Sequence, residues 1–235
     1  MGRNRWIATA ALAVVLIAAA GYAVFAALAG GGPAAVSLSP AATADCTPSA
    51  NAGAANGSSS LAGTWKVAGS DSFVGYRVRE QLSILPAPSD AVGRTTAIEG
   101  DLTIKGLEIT VVDVTADMTQ LMSDKSMRDE RLRTMGLETD AFPSAEFVLE
   151  SPIGFASQPS EGETVSAAAE GTLTLHGVTN AICVPVQASW TNGSIQVLGS
   201  VGITFADFQI DPPSSGFVSV QDHGTMEFQL NFVPV

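Results

Sequence analysis

Basic residues are scarce in this chain: 11 Lys and Arg stand against 23 Asp and Glu, a formal net charge of -12. Arg3 and Arg5 account for two of the eleven, so the rest of the chain is more acidic still. Phosphate backbones are bound by basic clusters, which excludes nucleic acid as a partner and argues against an anionic lipid surface on the same ground. Cysteine and histidine are rarer. Cys46, Cys183, His176 and His223 fall at unrelated spacings and make no zinc pattern. There is no Gly-x-Ser-x-Gly, no phosphate loop, and no cysteine with a histidine at a diagnostic spacing. No catalytic residue, metal ligand or cofactor is therefore assigned, and the chain reads as a non-enzyme. Both histidines lie in turn text, LHGVT and QDHGT, which gives them turn or surface roles.

Charge is missing altogether from Trp6 to Ala29, 24 positions that as a helix would span about 36 Å, enough to cross a bilayer. Arg3 and Arg5 precede this run and no basic residue follows until Lys66, so the positive-inside bias leaves the N-terminus in the cytoplasm and the rest outside. The run is longer than the roughly 7–15 residues of a signal core, which favours a single-pass membrane anchor. A cleaved signal peptide, with small-x-small patterns at 27–29 and 42–44, is the alternative and would leave a secreted protein. Residues 30–60 are Gly, Ala, Ser, Pro and Thr almost throughout and cannot bury a core. The chain thus divides into an anchor or signal segment at 1–29, a flexible extracytoplasmic linker at 30–60 and a folded domain at 61–235.

That domain alternates with period two between Gly, Pro, Asn and Asp punctuation, the pattern of half-buried antiparallel strands. Eight strands are predicted, near 72–80, 98–104, 108–118, 145–150, 170–176, 182–190, 194–205 and 225–233. Alternation places Val74, Tyr76 and Val78 on one inward face of the first. Leu102 and Ile104 face inward in the second, and Val112, Val114 and Met118 in the third, opposite Ile109, Val111 and Asp113. Phe147, Leu173, Leu175, Val184 and Phe228 continue the inward set. Pro185 cannot donate to a ladder, so an edge or bulge is expected there. Gly75, Gly100, Gly171 and Gly202 fall inside strands, where tight coiling is the first reading. Closing eight strands removes unpaired edges, so the domain is predicted as an all-β, eight-stranded antiparallel barrel with one short helix, preceded by an N-terminal transmembrane helix.

The helix is predicted over Lys125–Thr134, capped by Ser123 or Asp124 and leaving at Gly136. Four of the nine basic residues that follow the uncharged run lie here: Lys125, Arg128, Arg131 and Arg133. Arg128 and Arg131 share a face, and two roles compete for them. They either pair with carboxylates such as Asp124, Asp129 and Asp140, or meet an anionic ligand head group.

RDERLR at 128–133, ETDAFPSAEF at 138–147 and EGTLTLHGVT at 170–179, in that order after IEGDLTI, resemble the YceI-like family of polyisoprenoid-binding or lipid-binding proteins over roughly 63–233. The resemblance implies an extended lipocalin-like barrel whose apolar lumen holds an isoprenoid or similar amphiphile, in proteins often exported. It makes Val74, Tyr76, Val78, Leu102, Ile104, Val112, Val114, Met118, Phe147, Leu173, Leu175, Val184 and Phe228 the ligand-lining set. The chain departs from the pattern at Asp71-Ser72, where members often have His-Ser, and at Glu80, where a His often ends the strand. Phe205 and Gln209 occupy the places of a frequent Arg and Gly. The alternative is a packed barrel serving as a protein-interaction or stress-response module; oligomeric state is left open. In an oxidising compartment the two cysteines suggest a Cys46–Cys183 disulfide pinning the linker to the barrel's outside, since Cys183 alternates with inward Val184.

Overall fold

The computed structural model describes residues 32–38, 60–84, 86–213 and 217–235. Within them one sheet closes on itself. The eight closing strands are β1 (Gly63–Val67), β4 (Ile98–Lys105), β5 (Glu108–Asp117), β7 (Ser144–Leu149), β9 (Thr164–Leu175), β10 (Val178–Thr191), β11 (Ser194–Thr204) and β13 (His223–Pro234), all antiparallel, with β1 pairing β13 to shut the ring. The expected barrel is therefore present, but it closes through a strand that the alternation pattern did not reveal. GTWKV is only five residues long and carries too little alternation to stand out.

The strand expected to open the barrel, β2 (Phe73–Leu82), instead extends it. β13 pairs β1 through Phe232–Pro234 and β2 through Thr225–Gln229, so β1 and β2 are two halves of one broken edge. The break is a 3-10 turn at Gly69–Asp71, and its hydrogen bonds are re-satisfied locally. The Ala68 amide donates to Asn231 O at 2.7 Å, Ser72 Oγ donates to Ala68 O at 2.7 Å, and the Asn231 amide donates to Ser72 Oγ at 2.9 Å. Beyond β2 the extension continues through β3 (Ser89–Thr95) to β6 (Met122–Ser123), with β12 (Val218–Val220) on the other side of β2. The text between the first two predicted strands, to which no strand was assigned, therefore includes β3, whose SDAVGRT is too polar to look like a strand.

One α-helix occurs among the described residues, α1 (Ser126–Thr134), a residue shorter at its start than predicted. Lys125 holds the N-cap position, and Gly136 takes a φ of 69° on the way out. The loop after it plugs the barrel end: Leu137 packs against two core clusters and Thr139 is buried. Residues 32–34 lie on the outer face of β2 and β3. Gly32 sits against Val92, while Arg77 and Arg94 donate to Pro33 O at 2.8 Å and Ala34 O at 3.0 Å. The uncharged run at 6–29 lies outside the described residues. Among those that are described, no helix is long and apolar enough to cross a membrane.

Candidate ligand-binding lumen

The hollow inside the ring follows from side-chain size. Ala116 on β5, Ala145 on β7, Ala167 and Ala169 on β9, and Ala188 on β10 all line it, where larger residues would have filled the space. What remains is a cavity of about 120 Å³ bounded by Val74, Leu102, Val112, Val114, Phe147, Leu173, Val184 and Phe228 from the predicted set. A second space of about 50 Å³ lies toward the β4–β5 and β10–β11 hairpins, lined by Ile104, Trp190 and Ile195 among others. Phe155, which follows the short strand β8 (Ile153–Gly154), borders both, as do Leu102 and Val197. Glu146 is the one ionisable residue along the main lining, and its register partners Thr115 and Thr174 belong to the outer face. Dry apolar cavities of about 150 Å³ admit a molecule the size of benzene, so this one suits a segment of hydrocarbon chain.

Four members of the predicted set lie elsewhere. Tyr76 and Met118 pack in the core nearer the end that α1 covers, and Leu175 packs between two clusters at the β9–β10 turn. Val78 sits on the β2 extension opposite Ala91, beyond the closed ring. For Val78 the reason is that inward alternation continues along β2 after that strand has parted from β13, whose pairing with β2 ends at Arg77. In the other direction, Ile109 was expected to face outward and lines the cavity. A bulge near Thr110 is responsible, since Thr103 pairs Val111 while Ile104 pairs Ile109, and one extra residue reverses the side to which Ile109 points. Val165, Ala167 and Ala169 were missed because β9 starts at Thr164 rather than at 170. Met226, Leu230 and Phe232 belong to the alternating face of β13 already visible in TMEFQLNFV.

Coiling explains the close approach at Gly171: a Cβ there would stand 2.2 Å from Val148 O. Pro185 lies within a central strand rather than at an edge. It pairs Ala168 on β9, while the β10–β11 ladder begins one residue later at Val186, so the missing N–H costs no bond.

The end that α1 covers is polar. Arg128 reaches back 48 residues to donate to Glu80 at 2.6 Å, and its other nitrogen meets Asp124 at 2.6 Å. Burial works against the Arg128 charge, but the bonds to Asp124 and Glu80 hold its pKa above the ordinary value. Asp129, offered above as a partner, instead accepts from the Ser123 amide and hydroxyl, and Arg131 is exposed with no ion pair among the described residues. The Tyr76 hydroxyl nearby is buried and has no hydrogen-bond partner among the described residues. Burial raises its pKa, against the pull of Arg128.

His176 is not at the surface. It occupies the first position of a two-residue turn (φ 52°, with Gly177 at 73°), is buried, and packs against Phe142 with ring centroids 4.2 Å apart and the ring planes tilted by 55°. Its ring bridges Phe208 O (3.1 Å) and Glu138 Oε2 (2.9 Å), tying the β9–β10 turn to the plug after α1. Gln209, in the place of a frequent glycine, adopts a left-handed φ of 54°, the conformation for which glycine is best suited. Cys183 is half-buried and is not a free thiol, while Cys46 lies outside the described residues.

A closed antiparallel ring of eight strands around a hydrocarbon-lined hollow defines an all-β barrel with an apolar lumen. A family model for the YceI-like domain matches residues 65–232, and the chain belongs to that family. Among solved structures, a polyisoprenoid binding domain from Saccharophagus degradans, implicated in plant cell wall breakdown, is similar at 17% identity and a TM-score of 0.59. That match covers 73% of this chain and 98% of the other. Burkholderia cenocepacia BcnA is similar at 17% identity and a TM-score of 0.54, over 70% of this chain and 98% of its own. At such identities the likeness concerns the fold. No curated protein sequence matches the chain.

Proposed function

We propose that this protein holds an isoprenoid or comparable long-chain lipid in its lumen outside the cytoplasmic membrane, as a carrier or store and without turning it over. One observation carries the reading: a continuous hydrocarbon lining hollowed by alanines, which offers apolar contact and presents no inward titratable side chain. The polyisoprenoid binding named for the Saccharophagus degradans domain supports the same ligand class. Arg3, Arg5 and the uncharged run supply the membrane anchor and the extracytoplasmic orientation. Cys183 takes Cys46 as its disulfide partner, a pairing that non-reducing peptide mapping of exported protein would overturn by finding either residue as a free thiol.

Native mass spectrometry of protein isolated from its own host, followed by organic extraction, tests the function. A hydrophobic molecule in near one-to-one ratio is expected, and Val114→Phe, which points a larger ring into the cavity, should lower its occupancy without unfolding the barrel. An empty monomer that takes up no prenyl chain would leave the packed interaction module as the better account.

A further inference from the structure

The surface at the α1 end departs from the rest of the molecule. Met122, Met127 and Met135 are 73%, 68% and 56% exposed, and Ile84 at the tip of β2 is 79% exposed. All four belong to elements that border α1: Met122 on β6 pairs Arg94 of β3, Met127 precedes Arg128, whose guanidinium bonds Ser123 and Glu80, Met135 precedes Gly136, and Ile84 follows the end of β2. Large apolar side chains exposed together mark a contact surface. The same place carries two neighbouring free arginines. Lys66, Arg77, Arg79, Arg94 and Arg128 are engaged in ion pairs; of the exposed basic residues that make none among the described residues, Arg131 and Arg133 lie together on α1, and Lys105 stands alone at the end of β4. The helix also carries Lys125, close to Asp124, and two acids, Glu130 and the Ser123-bound Asp129.

Chain direction brings this end toward the bilayer. Gly32 lies beside Val92 and Ala34 beside Arg94, so the chain enters from the tip side of β3 and runs toward the barrel body. The apolar part of the uncharged run ends at Ala29, and the three residues to Gly32 reach at most about 10 Å.

We propose that the α1 end is a docking face for the surface of a phospholipid bilayer carrying anionic lipid. Met122, Met127, Met135 and Ile84 enter the head-group layer, and Arg131 and Arg133 lie on phosphates. The inference deepens the lipid-carrier reading and rests on its membrane anchor, because the three-residue reach holds the tip at the interface only if the run is embedded. It places the plugged end of the lumen against the lipid from which a ligand would come.

The test uses the full chain reconstituted in phosphatidylcholine vesicles with and without phosphatidylglycerol. Peroxide oxidation of individual methionines is followed by mass spectrometry, with buried Met118 as the internal reference. Flotation with the vesicles scores the anchor separately. Docking predicts that Met122, Met127 and Met135 oxidise several-fold more slowly when the anionic lipid is present. The Arg131→Glu/Arg133→Glu variant should restore fast oxidation while still floating, since each basic residue is worth about fivefold at an anionic surface. Floating protein whose three methionines oxidise alike in wild type and variant keeps its anchor and loses the docking face. Protein that neither floats nor shows protection loses both. Protection that follows protein-to-lipid ratio instead of anionic content assigns the face to a second copy and overturns the proposal.

Discussion

From the barrel's hollow to the β2 extension beside α1, the molecule changes from hydrocarbon to charge. In the middle, five alanines face valines, leucines and phenylalanines across an unfilled space of about 120 Å³. At the α1 end, Glu80, Arg128 and Asp124 form a chain of ion pairs beside the buried Tyr76 hydroxyl, and Leu137 plugs the gap. The two regions meet different costs. The hollow forgoes dispersion contacts that a filled core would make, while the closed end desolvates charges that are stable there only as a set. Stability should therefore reside at the closed end and uptake in the hollow, and substitutions in the two regions should separate those readouts.

The largest effect is expected where a charge can be stranded. Arg128→Ala leaves Glu80, only 8% exposed, without its partner, and should destabilise the fold by about 3–5 kcal/mol in chemical denaturation, equally with and without lipid. A Glu80→Leu/Arg128→Leu double variant should recover most of that loss, because removing both partners also removes the desolvation cost. If Arg128→Ala kept its stability and weakened only the binding of phosphorylated or carboxylated chains, Arg128 would be a head-group ligand and the comparison would fail.

A smaller effect separates hollow from packed. Ala169→Leu adds three carbons facing the cavity and should change stability by less than about 1 kcal/mol while reducing lipid occupancy. Ile203→Phe adds bulk at a buried residue that does not line the cavity, within the cluster of Leu173, Phe208 and Ile210, and should cost about 1–3 kcal/mol. Equal costs from the two, measured by thermal unfolding, would mean that the middle is as tightly packed as the end.

The hollow was more legible than the closed end, for physical reasons. A lumen is built by period-two alternation, so Leu102, Val114, Phe147, Leu173, Val184 and Phe228 could each be assigned from neighbours in their own strand. Alternation says nothing of where a strand leaves the ring, which is why Val78 was grouped with the lining. Nor does it register a single added residue, and the bulge near Thr110 turned Ile109 inward without altering composition. Ala167 and Ala169 stood in plain text, in the run SAAAEG, but three alanines lack the β-branched signature of a strand. The closed end depends on contacts across the sequence, Glu80 with Arg128 and His176 with both Glu138 and Phe208, which no local pattern encodes. A net charge of -12 is likewise a sum over the chain and concealed the unpaired arginines of one end.

The smallest expected effect concerns acid. Burial opposes ionisation of Asp124, but the hydrogen bond and charge of Arg128, with Lys125 adding to them, hold its carboxyl below the ordinary value of 3.8. A carboxylate lowered in this way contributes stability that is fully present above the unfolded-state value and is lost as pH falls through the lower folded-state value. The window therefore lies below about pH 4. Asp124 is one-third exposed and sits four residues before Arg128, so the pair is worth only about 0.5 kcal/mol. Urea unfolding of wild type and Asp124→Asn between about pH 5 and 2 should show the wild type ahead at the upper end and the two curves converging toward the lower. Ala169→Leu should run parallel to wild type throughout, because the side chains facing the hollow do not titrate. Convergence of wild type with Ala169→Leu instead of with Asp124→Asn would place acid sensitivity in the hollow and break the division between the two regions.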